Sequence, residues 1–235
     1  MHATLSSCID AVERTGDDVQ AAKILRFLAS ANQLLGLHEE GIQQAREALA
    51  VDEQLGDTAG QLHSLRLLAE LSYDDKQLGA AEEVAYRAID LLSGNGSRFL
   101  FCHCHRILGF ICCSKGEVEK AIDHLNVALQ ITSIFNWDDQ LFWIHYALAG
   151  LLHEEGRPDE ADVNIERAKS HAVGDAYLMG RVMWIQAWFW FRQHKLEGAK
   201  SQALPAVGVY EKIGAVHNLE ICKQLIRLIE RELAS

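Results

Sequence analysis

The sequence predicts an all-α protein, a right-handed superhelical solenoid of antiparallel helix pairs. Three observations carry this expectation. Small residues recur every forty positions, only two prolines occur in 235 residues, and apolar residues fall at helical spacing between regularly placed Gly and Asn breaks. Ala29, Ala69, Gly109 and Ala149 form one series; Gly41, Ala81, Ala121 and Ala161 form a second; Ala48, Ala88, Ala128 and Ala168 form a third. A further copy follows a two-residue deletion, with Ala187, Ala199 and Ala206. Small side chains at fixed offsets mean helices that must approach closely once per repeat, and arrays of this kind mostly bind other molecules rather than transform them.

Each copy has two halves. In the third copy, FCHCHRILGFICCSKG places Leu108 and Gly109 mid-segment, and EVEKAIDHLNVALQIT puts Ala121, Leu125 and Ala128 on one stripe at i, i+4 and i+7. Lys115-Gly116 separates the halves, as Leu35-Gly36 and Glu155-Gly156 do elsewhere. Breaks between copies fall at Gly16-Asp17, Gly56-Asp57, Asn95-Gly96, Asn136, Gly174-Asp175 and Gly214. Gly or Asn after a helix favours the left-handed cap, and a following Asp or Ser caps the next helix. The helix pairs are therefore expected at 19–35 and 38–55, 58–74 and 77–93, 97–114 and 117–134, 138–155 and 158–172, and 176–194 and 196–213.

The whole chain, 1–235, reads as one array with repeats at 17–56, 57–96, 97–136, 137–174 and 175–214. Residues 1–16 match the second helix of a partial repeat, which suggests a piece of a longer array. Residues 215–235 form an amphipathic segment without the small residue that another copy needs, since Arg227 stands forty after Ala187; this reads as a capping helix. Pro158 opens a helix, where its missing N–H costs nothing. Pro205 falls inside one and is expected to bend it.

Composition narrows the function classes. With 49% hydrophobic residues a long core can be built, and a net charge of −11 argues against nucleic acid as a partner. No apolar run approaches a membrane span, and the first residues lack the apolar centre of a signal peptide. The six cysteines (Cys8, Cys102, Cys104, Cys112, Cys113 and Cys222) then read as reduced thiols in a cytoplasmic protein. The CHCH run at 102–105 does not make a metal site, because consecutive helical residues splay by about 100° each. No cofactor is expected, and no constellation orients a nucleophile or a general acid–base pair, so the chain is not expected to be an enzyme.

These offsets resemble the tetratricopeptide repeat (TPR), a family of helical-repeat proteins. The third copy matches through Leu108, Gly109, Cys112, Lys115-Gly116, Ala121, Leu125 and Ala128, and the fourth through Leu148, Ala149, Leu152, Gly156, Ala161, Ile165 and Ala168. The forty-residue period is similar to the long variant of kinesin light chains and of regulatory regions of signalling NTPases. The cadence of residues 136–172 and the YEKIG ending resemble the C-terminal arrays of fungal STAND (NLR-like) NTPases. No phosphate-binding loop occurs, so no NTPase activity follows.

The resemblance implies that first helices line a concave face. Positions three and six before the small residue then face the groove: Arg26 and Lys23, Arg66 and His63, Arg106 and His103, Tyr146 and Trp143, and Trp184 and Arg181, with Trp188 extending the face. A basic groove that turns aromatic suits an acidic peptide with hydrophobic anchors. The alternative is that each Arg pairs with an acid of a neighbouring repeat and stiffens the stack. Ser30 and Leu67 stand where the family's carboxylate clamp would carry Asn, which argues against chaperone-tail binding. The expected function is a protein-interaction module for a protein or peptide partner. The alternatives are a regulatory region of a larger signalling NTPase, and a scaffold forming homo-oligomers through its N-terminal edge.

Overall fold

The computed structural model describes residues 17–92 and 97–234. Among them lie eleven α-helices: α1 (Asp18–Leu35), α2 (His38–Leu55), α3 (Thr58–Asp74), α4 (Leu78–Leu92), α5 (Arg98–Lys115), α6 (Val118–Phe135), α7 (Asp138–Glu154), α8 (Pro158–His171), α9 (Ala176–Arg192), α10 (Leu196–Ile213) and α11 (Val216–Leu233). Their ends fall within two residues of the sequence expectation. The partial repeat at 1–16, the N-terminal edge and the break at Asn95-Gly96 lie outside the described residues. The chain forms two compact units, divided after Ile131 within α6.

In the first unit α1 packs on α2, α2 on α3, α3 on α4 and α4 on α5; the first helices α1, α3 and α5 also stack directly on one another. In the second, α7 packs on α8, α9 on α10 and α10 on α11, while α9 also touches α7, α8 and α11. The small residues of the repeat sit at these seams. Ala29, Ala45, Ala81, Ala85, Ala121, Ala128, Ala149, Ala161, Ala187 and Ala199 are all buried. Gly109 shows why: a Cβ there would stand 2.7 Å from Leu125 Cγ, and Leu125 is itself fully buried.

The turns obey one rule. In every copy the residue that ends the first helix has positive φ: Gly36, Lys76, Gly116, Gly156 and His194. Between copies Gly56, Asn136, Gly174 and Gly214 do the same. Lys76 and His194 adopt a conformation that costs a non-glycine residue about 1–2 kcal/mol, imposed by the helices on either side. Side chains of Asp17, Asp57, Ser97 and Asp175 then accept from backbone N–H groups of the helices that follow. Helix α10 runs unbroken through Pro205, which is exposed.

Two substitutions test this framework. Gly109→Leu is expected to destabilise the chain by about 1–3 kcal/mol in urea unfolding, because Leu125 has no free space to yield. Lys76→Gly relieves the left-handed strain and is expected to stabilise by about 0.5–1 kcal/mol in the same measurement.

Candidate functional site

The stacking of α1 on α3 sets Lys23, Arg26, Phe27 and Ser30 across from His63, Arg66 and Leu67. These seven residues line an open groove of about 340 Å³. Four of them are residues that the sequence marks as facing the groove. Phe27, one position further round α1, is 73% exposed despite its size.

The cations of this wall are not equivalent. Arg26 Nη1 donates to both carboxylate oxygens of Asp52, at 2.6 and 2.8 Å. Asp52 comes from α2, is buried, and also accepts from Ser64 Oγ of α3 at 2.7 Å. One carboxylate thus ties three helices together. Arg66 Nη1 reaches Glu70 Oε2 one turn along α3 at 2.7 Å. Lys23 is exposed and has no ion-pair partner among the described residues. His63 is exposed as well; burial of part of its ring and the nearby Arg66 and Arg26 guanidiniums lower its pKa, so it is neutral at pH 7.

His103 and Arg106 of α5 sit deeper. His103 Nε2 lies 2.5 Å from Glu70 Oε1, and Arg106 Nη2 lies 3.5 Å from the same oxygen. Burial alone would raise the Glu70 carboxyl, but His103 and the Arg66 and Arg106 guanidiniums overturn that and hold it down at about 2. Burial, then Arg106, pushes His103 down to about 4 against the pull of Glu70. At neutral pH the cluster is therefore an ionised Glu70 between two guanidiniums and a neutral imidazole. The proton of that imidazole sits on Nε2 and is donated to Glu70. Neither Glu70 nor Asp52 was singled out from the sequence, which named no particular acid as partner of these arginines. A signal for Glu70 was available: Arg66 and Glu70 are four apart on one helix.

In the second unit, α7 and α9 bring Trp143, Tyr146 and Arg181 together. The Arg181 guanidinium lies 5.2 Å from the Trp143 ring centroid and 4.9 Å from that of Tyr146. Trp184 and Trp188 stack 6.5 Å apart, both half-buried against Ala187, Ala199, Ala203, Leu225 and Ile229. These aromatics therefore serve the packing of α11 as well as presenting edges to solvent.

Among the described residues no three His, Cys, Asp or Glu side chains are placed to share a metal ion. Cys102, Cys104 and Cys112 are buried, and burial pushes the Cys104 thiol up to about 12. No helix among the described residues is long and apolar enough to cross a membrane.

No protein-family model matches the chain. It is 22% identical over 201 residues to Protein KINESIN LIGHT CHAIN-RELATED 1 of Arabidopsis thaliana, which covers 83% of this chain and 32% of that protein. The chain thus spans about a third of the length of this curated relative. Among solved structures it is similar to aspartyl phosphate phosphatase F from Bacillus subtilis (TM-score 0.71, 12% identity, 96% of this chain and 64% of that one). It is equally similar to a Rap protein complexed with Competence and Sporulation Factor (TM-score 0.71, 13% identity, 98% and 69%). BtubC from P. vanneervenii also matches (TM-score 0.65, 18% identity, 99% and 91%). The chain has a TPR-like helical-repeat fold.

The Glu70 cluster fixes a pH dependence. His103 is ordinarily near 6.5 and about 4 here, so the unfolded chain binds its proton more readily. Stability is full above pH 6.5 and is lost as pH falls towards 4; Glu70 adds a further loss below its ordinary value. Between pH 7 and 5 the native chain is expected to lose about 1–2 kcal/mol more than His103→Gln in urea unfolding.

Proposed function

We propose that this chain is a protein-interaction module whose α1–α3 groove binds a peptide carrying an acidic residue beside a hydrophobic anchor. The observation that carries the reading is the combination found in that groove. Among the described residues Lys23 stands without an acid of its own, next to the largely exposed Phe27 and flanked by Arg26 and Arg66.

An aromatic face held in water beside a cation is complementary to an apolar side chain with a neighbouring carboxylate. Arg26 and Arg66, already paired with Asp52 and Glu70, supply rigid N–H donors at the rim; Lys23 supplies the charge that, among the described residues, no acid neutralises. His103 and Arg106, bound to Glu70, position Arg66 from behind. Trp143, Tyr146, Arg181, Trp184 and Trp188 are a second set of contact residues in the other unit. The same fold in a Rap protein complexed with a factor, and the likeness to a kinesin light chain-related protein, support a binding role over catalysis.

Selection from a random peptide library displayed on phage tests this. Enriched sequences are expected to pair Asp or Glu with Leu, Ile or Phe within a few residues. A selected peptide is expected to bind the double variant Lys23→Glu/Phe27→Ser about tenfold more weakly, about 1.4 kcal/mol. Melting should be unchanged, since both side chains are exposed. Enrichment without acids, or full affinity in the double variant, overturns the reading.

A further inference from the structure

Arg26, Arg66 and Arg106 each meet a carboxylate. Arg181 does not: among the described residues no Asp or Glu ion-pairs with it, and its hydrogen bonds go instead to the neutral phenols of Tyr146 and Tyr177, with Tyr210 nearby. Its Nε is buried without a hydrogen-bond partner among the described residues, and the same holds for Trp184 Nε1 and Tyr210 Oη. These three residues line one partly open cavity of about 100 Å³, together with Asn218, Ile221 and Cys222.

The geometry of this corner is held firmly. Tyr210 is 1% exposed. A Cβ at Gly180 would stand 2.8 Å from Tyr210 Cζ, so only glycine lets the phenol ring lie this close to α9. Trp184 is fixed by its stacking on Trp188. Arg181 is fixed by Trp143 and Tyr146.

The chemistry of the lining selects its ligand. Arg Nε–H and Trp Nε1–H can only donate, and Tyr210, whose phenol burial pushes up, stays protonated and donates as a third. A cavity with donors and one uncompensated positive charge requires a ligand that accepts hydrogen bonds and carries negative charge. A single guanidinium matches the single charge of a carboxylate. A phosphate dianion would leave a buried excess of negative charge. The volume admits a group of acetate or propionate size.

We propose that the cavity between α9, α10 and α11 is a carboxylate-binding site. Its occupant is either a small free acid or the carboxylate of a polypeptide, both through the same chemistry. The site shares no residue with the α1–α3 groove, so either proposal can fail while the other stands.

The test follows the indole N–H of Trp184 by nitrogen–proton NMR in the full chain, with the signal assigned from Trp184→Phe. Acetate is titrated at constant ionic strength, with acetamide and chloride as controls. Acetate is expected to shift the Trp184 signal saturably in the millimolar range, well within the limit for so small a ligand; acetamide and chloride should not. Arg181→Gln, with helical content unchanged, is expected to weaken acetate binding at least about tenfold. Should that variant unfold, Tyr210→Phe is the second, expected to weaken it about threefold.

An acetylated dipeptide and its C-terminal amide separate the two sources. Binding tighter than acetate and lost on amidation assigns a polypeptide end, whereas weaker binding assigns a free acid. A Trp184 signal unmoved by any carboxylate, or moved equally by acetamide, overturns the proposal.

Discussion

A guanidinium drawn into a packed helical wall must be neutralised there, and this constraint shapes the first helices of each unit. Removing a charge from water costs several kcal/mol, and the cost is recovered only with good geometry and full hydrogen bonding. Asp52 meets it for Arg26 and recruits Ser64 at the same time. Glu70 meets it for Arg66 and Arg106 with His103 as an additional donor. Stacked aromatics and phenols meet it only in part for Arg181. Where an arginine has its own acid, its charge is met within the wall; Arg181 has none among the described residues.

The backbone that carries these pairs rests on a simpler restriction. Helices that stack every forty residues must touch through alanine or glycine, and Gly109 against Leu125 is one tight expression of it in the first unit. Once the first helices lie side by side, positions three residues before the seam in adjacent copies come together. The repeated arginines and the acids that serve them are consequences of that register. This is why Arg26, Arg66 and Arg106, forty apart in sequence, face related surroundings in space.

Much of this could be read from the sequence, because periodic small residues and Gly or Asn breaks act locally. Helix ends could be placed from Gly36, Gly56, Gly116 and Gly214, all of which adopt the left-handed conformation. Lys76 and His194 adopt it too, yet their side chains announce nothing; only their place in the repeat gives them away. The groove register also follows from periodicity, since Lys23, Arg26, His63 and Arg66 line one cavity. The partners of those residues were harder to foresee. Asp52 lies on a second helix and reaches Arg26 across 26 positions, a contact set by tertiary packing alone. The unpartnered donors around Arg181 depend on Tyr210, which approaches only because residue 180 is glycine. The similar solved structures share the architecture at low identity, so that likeness speaks for the fold alone.

The most direct measurement is a double-mutant cycle on Arg26 and Asp52, using Arg26→Ala, Asp52→Ala and the pair, by urea unfolding at pH 7. If charge compensation within the wall holds the first helices together, the coupling energy is about 2–3 kcal/mol and the double variant is more stable than Asp52→Ala alone. A coupling of about 0.5 kcal/mol or less, as for a solvated surface pair, would contradict it.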